Sequence, residues 1–304
     1  MRANTVYILS HDPLVVTGGF STLESLAECR RPMTFLYHNV GWLRAHSLPR
    51  YIKASRQFIG HRRLMIVTNE PSEARWLRLV GIESYPLSHN IHVRDNFFTP
   101  LQQIPKLYDA VYSAQLSPFK RLELARDIPS LRVVTYAIGE TEWDLHAYEP
   151  SLRHATFNKT WLPSDEVRQA YRSARVGLAL SKKEGAMFAS MEYLMCGLPV
   201  VTTRNRGGRN RYFTPRNSIF TAAHPAAVAR AVSAYVAQPP DPMQIREEVM
   251  TLVRRDRLAY LDVFSRRCAI AIPDREGELE RLWGGQDGIE KHGVPIQRFV
   301  ASHA

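Results

Sequence analysis

Short β-branched runs alternate with amphipathic stretches along most of this chain. The first run, Val6–Ser10, leads to a Thr17-Gly18-Gly19 turn and a helical pattern through Leu26. A second strand is predicted over Met33–Tyr37, then a helical stretch from about Leu43 to Phe58. A strand over Arg63–Thr68, a helix over Pro71–Leu79 and a strand over Ser84–Ser88 follow. Asn90–Pro105 has no period and is rich in polar and turn residues, which marks it as the linker.

Beyond that linker the alternation restarts. Strands are predicted over Ala110–Ser113, Leu131–Tyr136, Val176–Leu180 and Leu198–Thr202, and a helix over Phe119–Ala125. Ser164 reads as the N-cap of a helix to Ser173, and a short helix stops near Cys196, with Gly197 and Pro199 as breakers. Asp241-Pro242 opens a long helix with apolar positions at Ile245, Val249, Leu252 and Val253. No internal repeat or low-complexity tract interrupts this pattern. Two α/β units joined by a linker predict two Rossmann-like domains, with parallel sheets facing a cleft. Ligands in such sheets bind at the carboxyl ends of the strands, so the cleft is the expected site.

Composition narrows the partners. Of the 304 residues 45% are hydrophobic and 23% charged, which is a globular balance. No apolar run reaches the roughly 18–20 residues of a membrane-spanning helix. The start enters a strand-like run without a signal-peptide cleavage pattern, so a cytoplasmic protein is expected. Cys29, Cys196 and Cys268 are odd in number and far apart, fitting neither a disulfide framework nor a zinc site. The net charge of +11 favours acidic partners: nucleic acid, anionic lipid headgroups or phosphorylated small molecules. A merely solvated basic surface accounts for it equally well.

The chemistry concentrates in Leu180–Gly208, LSKKEGAMFASMEYLMCGLPVVTTRNRGG. Glu184 falls in the loop after a strand, and Glu192 on the helix that begins near Phe188. The backbone of Gly185, Ala186, Met187 and Phe188 opens that helix, where unpaired N–H groups and the helix dipole favour a phosphate. Two carboxylates flanking an anion-binding turn suit a ligand with hydroxyls on both sides of a diphosphate, such as a nucleotide-sugar.

Glu184 and Glu192, seven residues apart and followed by Cys196-Gly197-Leu198-Pro199-Val200-Val201, resemble the Glu-x7-Glu signature of retaining glycosyltransferases of the large family-four group. Other segments are similar in order. Ala114-Gln115-Leu116-Ser117-Pro118-Phe119-Lys120 resembles the Gly-Arg-Leu-x-x-x-Lys diphosphate loop, keeping Lys120 but with Gln115 in place of the arginine. Arg121 is the neighbour that could replace the lost charge. Ser88-His89-Asn90 and Phe97-Phe98-Thr99-Pro100 resemble the Pro-Asn-Gly segment and the linker after it, and Thr17-Gly18-Gly19 the glycine loop that closes on the diphosphate. His38 sits where members carry a histidine near the donor sugar.

The resemblance implies a GT-B fold. An abbreviated acceptor-side domain would span 1–100, a donor-binding domain 101–267, and an unassigned tail 268–304 that could pack back on the first domain. It implies transfer of a sugar from a nucleotide-diphosphate donor, with retention, to a saccharide, lipid-linked glycan or small molecule. In that reading Glu184, Lys120 and His38 are catalytic. Glu192, Gln115, Arg121, Gly18, Gly19 and Gly185 to Phe188 bind the donor. No Asp-x-Asp pair at a strand end and no His/Cys cluster is present, so neither a metal nor another cofactor is expected. Peripheral contact with an anionic membrane is compatible with the charge. The competing readings are an epimerase or phosphorylase on the same fold, and a non-catalytic nucleic-acid-binding protein using the Arg204–Arg211 run.

Overall fold

A computed structural model of the chain describes residues 5–11, 14–18, 23, 34–39, 43, 45–58, 63–101, 104–137, 140, 142–268, 271–284 and 292–295. Its strands form two six-stranded sheets. In the first, β1 (Thr5–His11) turns back into β2 (Leu14–Gly18), and β3 (Thr34–Asn39), β4 (Arg63–Thr68) and β5 (Ser84–Pro86) follow in chain order. β1 and β2 are antiparallel, while β2 to β5 are parallel neighbours. The second sheet is parallel throughout and is built of β6 (Tyr108–Gln115), β7 (Leu131–Tyr136), β8 (Thr156–Phe157), β9 (Ala174–Ala179), β10 (Val200–Thr203) and β11 (Ser218–Thr221). Its order is β11-β10-β9-β6-β7-β8, so the winding reverses between β6 and β9. A crevice opens at the carboxyl ends of the strands at such a reversal.

Parallel neighbours need crossovers, and helices supply them. α1 (Leu48–Ser55) and α2 (Pro71–Leu79) serve the first sheet. α3 (Leu145–Tyr148), α4 (Ser164–Arg172) and α5 (Phe188–Met195) serve the second, and α6 (Pro225–Ala237) follows its last strand. The 27-residue α7 (Pro242–Cys268) and short α8 (Arg275–Leu279) follow. The strand β12 (His292–Pro295) then pairs antiparallel with β1, at the edge of the first sheet. β9 is covered on both faces, which is why it reads as a nearly continuous apolar run. Gly177 at its centre makes room for α5: a Cβ there would lie 2.3 Å from the Tyr193 ring.

Several local expectations are corrected. Thr17 and Gly18 are the end of β2, a strand missed between the first run and its turn; Gly19 and the helix expected through Leu26 lie outside the described residues, apart from Leu23. Phe119–Ala125 is not one helix but two 3-10 turns broken at Arg121, whose left-handed φ of 53° no helix accommodates. Pro163, not Ser164, is the N-cap of α4, and no side chain caps it. The long helix keeps its expected core: Ile245, Val249 and Val253 are buried along α7.

From Asn90 to Thr99 the expected linker is a largely buried strap. Asn90 and Ile91 are inaccessible to solvent, and four arginines of the second half donate to its carbonyls. From α4, Arg168 reaches Phe97 O at 3.2 Å and Arg172 reaches Thr99 O at 2.7 Å. From α7, Arg246 reaches Phe98 O at 2.8 Å and Asp95 O at 2.7 Å. Arg257 donates to Ile91 O at 2.9 Å and Val93 O at 3.0 Å, and pairs with the Asp95 carboxylate at 2.5 Å. Backbone groups that form no regular element are thereby satisfied. Both members of the Arg257–Asp95 pair are buried. Arg257→Ala is therefore expected to cost about 3–5 kcal/mol by leaving a buried carboxylate unpaired. Urea unfolding of the variant against wild type measures it.

Candidate active site

Glu184 stands in the loop that follows β9, at the winding reversal. Its backbone is held by the loop after β10: Glu184 N donates to Arg206 O at 3.2 Å, and Asn205 Nδ2 donates to Glu184 O, also at 3.2 Å. Its side chain is held from two sides. Lys120 Nζ donates to Oε1 at 2.5 Å, and the Ser181 hydroxyl donates to Oε2. Lys120 belongs to the loop after β6 and is buried, so the pair bridges the two strands that flank the reversal.

Behind this pair lies Arg209, which is wholly inaccessible to solvent. Its guanidinium donates to Ser181 Oγ at 2.7 Å and Ser181 O at 2.6 Å, and to Thr202 Oγ1 and Thr203 O at 2.8 and 2.7 Å. Burial pulls its pKa down to about 10, opposed by the nearby Glu184 carboxylate, so it is still a cation at neutral pH. Arg211, two residues on, pairs with the buried Asp256 of α7 at 2.6 Å. Of the Arg204–Arg211 run, offered above as nucleic-acid contacts, these two residues instead anchor the loop from within. Gly207 and Gly208 permit it. Gly207 has φ 124°, and a Cβ on it would lie 2.2 Å from Glu184 O.

One cavity of about 410 Å³ collects Lys120, Glu184, Glu192 and residues Ala186, Met187 and Phe188. Its volume suits a small-molecule ligand. Glu192, on α5, accepts from the Tyr171 hydroxyl at 3.0 Å. Burial, with Glu192 nearby, holds the Tyr171 phenol well above its ordinary pKa, so it stays a donor. Met187 is the N-cap of α5 and offers no side-chain cap to the first N–H groups. On the far wall, Trp161 meets Tyr136 edge-to-face at 5.6 Å and remains half exposed. The site therefore joins a cation, an open helix terminus and two carboxylates to an aromatic wall.

The other expected residues lie elsewhere. Arg121 turns its guanidinium onto Leu180 O and the Thr203 hydroxyl. Gln115 ends β6, in register with Tyr136, and Gly185 stands beside Glu184; neither lines the cavity. His38 is the penultimate residue of β3, opposite Val67, and Gly18 ends β2 opposite Asn39. Tyr171 and Trp161 were not anticipated, Ser181 was read only as part of the Leu180–Gly208 run, and Arg209 only as part of the basic Arg204–Arg211 run. Only the glycine pair before Arg209 hinted that this loop packs closely.

The first half reaches this site through the loop after β4. The Asn69 carbonyl lies against Gly208, where a Cβ would come within 2.5 Å, and Asn69 Oδ1 accepts from His89 N at 2.8 Å. The His89 ring meets Phe188 edge-to-face at 4.7 Å. The loop is held by Glu73, a buried carboxylate on α2 that accepts from Leu43 N, Asn69 N and Glu70 N. Burial raises its pKa from 4.5 to about 7 despite those donors.

Residues 113–259 match the glycosyl transferase-like family model. No curated protein matches the chain by sequence. Among solved structures, Anabaena HepE in complex with UDP aligns with a TM-score of 0.60 at 15% identity, over 80% of this chain and 74% of that one. Sucrose-phosphate synthase from Thermosynechococcus elongatus aligns with a TM-score of 0.58 at 15% identity, over 80% and 70%. TarM aligns with a TM-score of 0.60 at 11% identity, over 82% of this chain but 54% of its own length.

Two outcomes are expected. The Gly207 backbone is open only to glycine, so Gly207→Ala should cost roughly 1–3 kcal/mol in chemical unfolding and displace Glu184. For Glu73, a folded pKa above the unfolded one means the native state holds the extra proton. Its contribution is full below pH 4.5 and is lost as pH rises through about 7. Glu73→Gln should flatten stability over that window, read as melting temperature against pH. The chain has the GT-B fold, and the stretch that carries Lys120, Glu184 and Glu192 is the stretch that matches the glycosyl transferase-like family.

Proposed function

We propose that this protein is a retaining glycosyltransferase that transfers a sugar from a nucleotide-diphosphate donor and needs no metal. The observation that carries the reading is Lys120, Glu184, Glu192 and the open start of α5 around one cavity at the winding reversal. The donor diphosphate lies on the Lys120 ammonium and the N–H groups from Ala186 to Phe188. Glu192, oriented by Tyr171, accepts from the ribose hydroxyls, and Glu184 from hydroxyls of the donor sugar. His38, near the carboxyl end of β3, is the residue of the acceptor-side domain of residues 1–100 assigned to the donor sugar, while residues 101–267 bind the donor. HepE has been solved with UDP and with UDP-glucose, and TarM with UDP and α-GlcNAc-glycerol, which supports a nucleotide-sugar donor and a saccharide acceptor.

Lys120 is already paired with Glu184, so the arriving diphosphate shares its cation rather than meeting a bare charge. As the bond from the anomeric carbon to the phosphate oxygen breaks, negative charge grows on the leaving group. Lys120 and the helix terminus stabilise that charge without reorganising, the kind of term that commonly dominates catalysis. The acceptor oxygen bonds the same face of the sugar, and its proton leaves on the departing phosphate. Arg121 and Arg209 contribute field from behind, since their N–H groups are occupied by Leu180, Ser181, Thr202 and Thr203.

Calorimetry with the common nucleoside diphosphates, on protein of verified fold, is the first test. Absence of binding by all of them would sink the proposal. Lys120→Ala is expected to weaken binding by ~1.5–3 kcal/mol, as for the loss of a hydrogen bond to a charged group. Glu192→Gln should also lower nucleotide affinity. Glu184→Gln should spare it while transfer falls by ~10²-fold or more. Turnover should survive a chelator, and the product's anomeric configuration, read by NMR, should match the donor's.

A further inference from the structure

A second feature lies on the first sheet, away from the cavity. Between Cys29 and Asn69 the sequence carries seven Arg and one Lys, and no Asp or Glu, against a net charge of +11 for the whole chain. α1 falls in this stretch and exposes Lys53 and, at its C-cap, Arg56. α2 continues the pattern with exposed Arg75 and Arg78. Its acid, Glu73, is buried. Among the described residues, none of these four cations belongs to an ion pair.

The same face is apolar. Trp76 is 53% exposed, Leu79 70% and Val80 37%, spaced so that one side of α2 presents all three. The helices are neighbours. β3, β4 and β5 are adjacent and parallel, so right-handed crossovers put α1 and α2 on one side of the sheet. Ser55 and Arg56 at the end of α1 share a groove of about 240 Å³ with Val80 and Gly81 after α2. Half-buried Glu83 is the one acid lining that groove.

The geometry points to this face as a docking surface for an anionic lipid bilayer, with Trp76, Leu79 and Val80 entering the headgroup boundary and Lys53, Arg56, Arg75 and Arg78 meeting the lipid charges. An occupant must be anionic outside and apolar within. Nucleic acid supplies the phosphates but no apolar phase for three adjacent side chains, whereas a bilayer supplies both. Among the described residues no helix is long and apolar enough to cross a membrane. The proposal rests on this surface and not on the donor chemistry, so either can fail alone.

The test is sedimentation of the full chain with phosphatidylcholine vesicles, with and without phosphatidylglycerol. Binding is expected only with the anionic lipid and should fall as salt rises. Arg75→Ser with Arg78→Ser should lower the partition coefficient by ~10-fold or more, at about fivefold per cation near the surface. Trp76→Ser with Leu79→Ser should lower it by ~10-fold or more at unchanged net charge. All four positions are exposed, and an unchanged melting temperature checks the fold. Equal binding to neutral and anionic vesicles, no binding to either, or wild-type partitioning by the Trp76/Leu79 variant overturns the proposal. So does tight duplex DNA binding that depends on the arginines but not on Trp76 and Leu79, which would make the face a nucleic-acid surface.

Discussion

The relation between the two sheets depends on arginine side chains satisfying backbone carbonyls. The segment from Ile91 to Thr99 forms no ladder of its own with either sheet, and its carbonyls would be costly to bury unpaired. Arg168 and Arg172 from one helix and Arg246 and Arg257 from another supply the donors. A planar guanidinium can serve two acceptors at once, as Arg246 does with Phe98 O and Asp95 O. A lysine offers no such fixed fork. The strap is thus held to α4 and α7, and the first sheet is carried with it.

The site inherits its geometry from that arrangement. Because the strap begins at His89 and Asn90, fixing it also sets His89 against Phe188 and Asn69 against Gly208. Beneath them, buried Arg209 ties the ends of β9 and β10 to the loop after β10, and Ser181 passes that order to Glu184. Part of the positive charge is therefore spent inside the molecule. Arg121, Arg209, Arg246 and Arg257 all donate to backbone carbonyls. A net charge of +11 says little about partners until these are set aside. What remains exposed on α1 and α2 is a smaller and more informative set.

What the sequence alone determined was local. β4, β7 and α2 stand at their expected bounds because each is a run of matching periodicity between strong breakers, such as Pro71 at the start of α2. The stop of α5 was legible for the same reason: Gly197 adopts φ 76°, and α5 keeps Glu184 and Glu192 within one cavity. Tertiary structure decided what depends on distant partners. β2 is a strand because β1 and β3 flank it, and β12 pairs with residues almost the length of the chain away. Arg121 and Arg209 looked like ligands for an external anion. They are anchors because folding brings the carbonyls of Leu180, Ser181 and Thr203 to within hydrogen-bonding distance of them. A guanidinium's charge is written in the sequence, but which acceptor it meets is set only when segments far apart along the chain pack together.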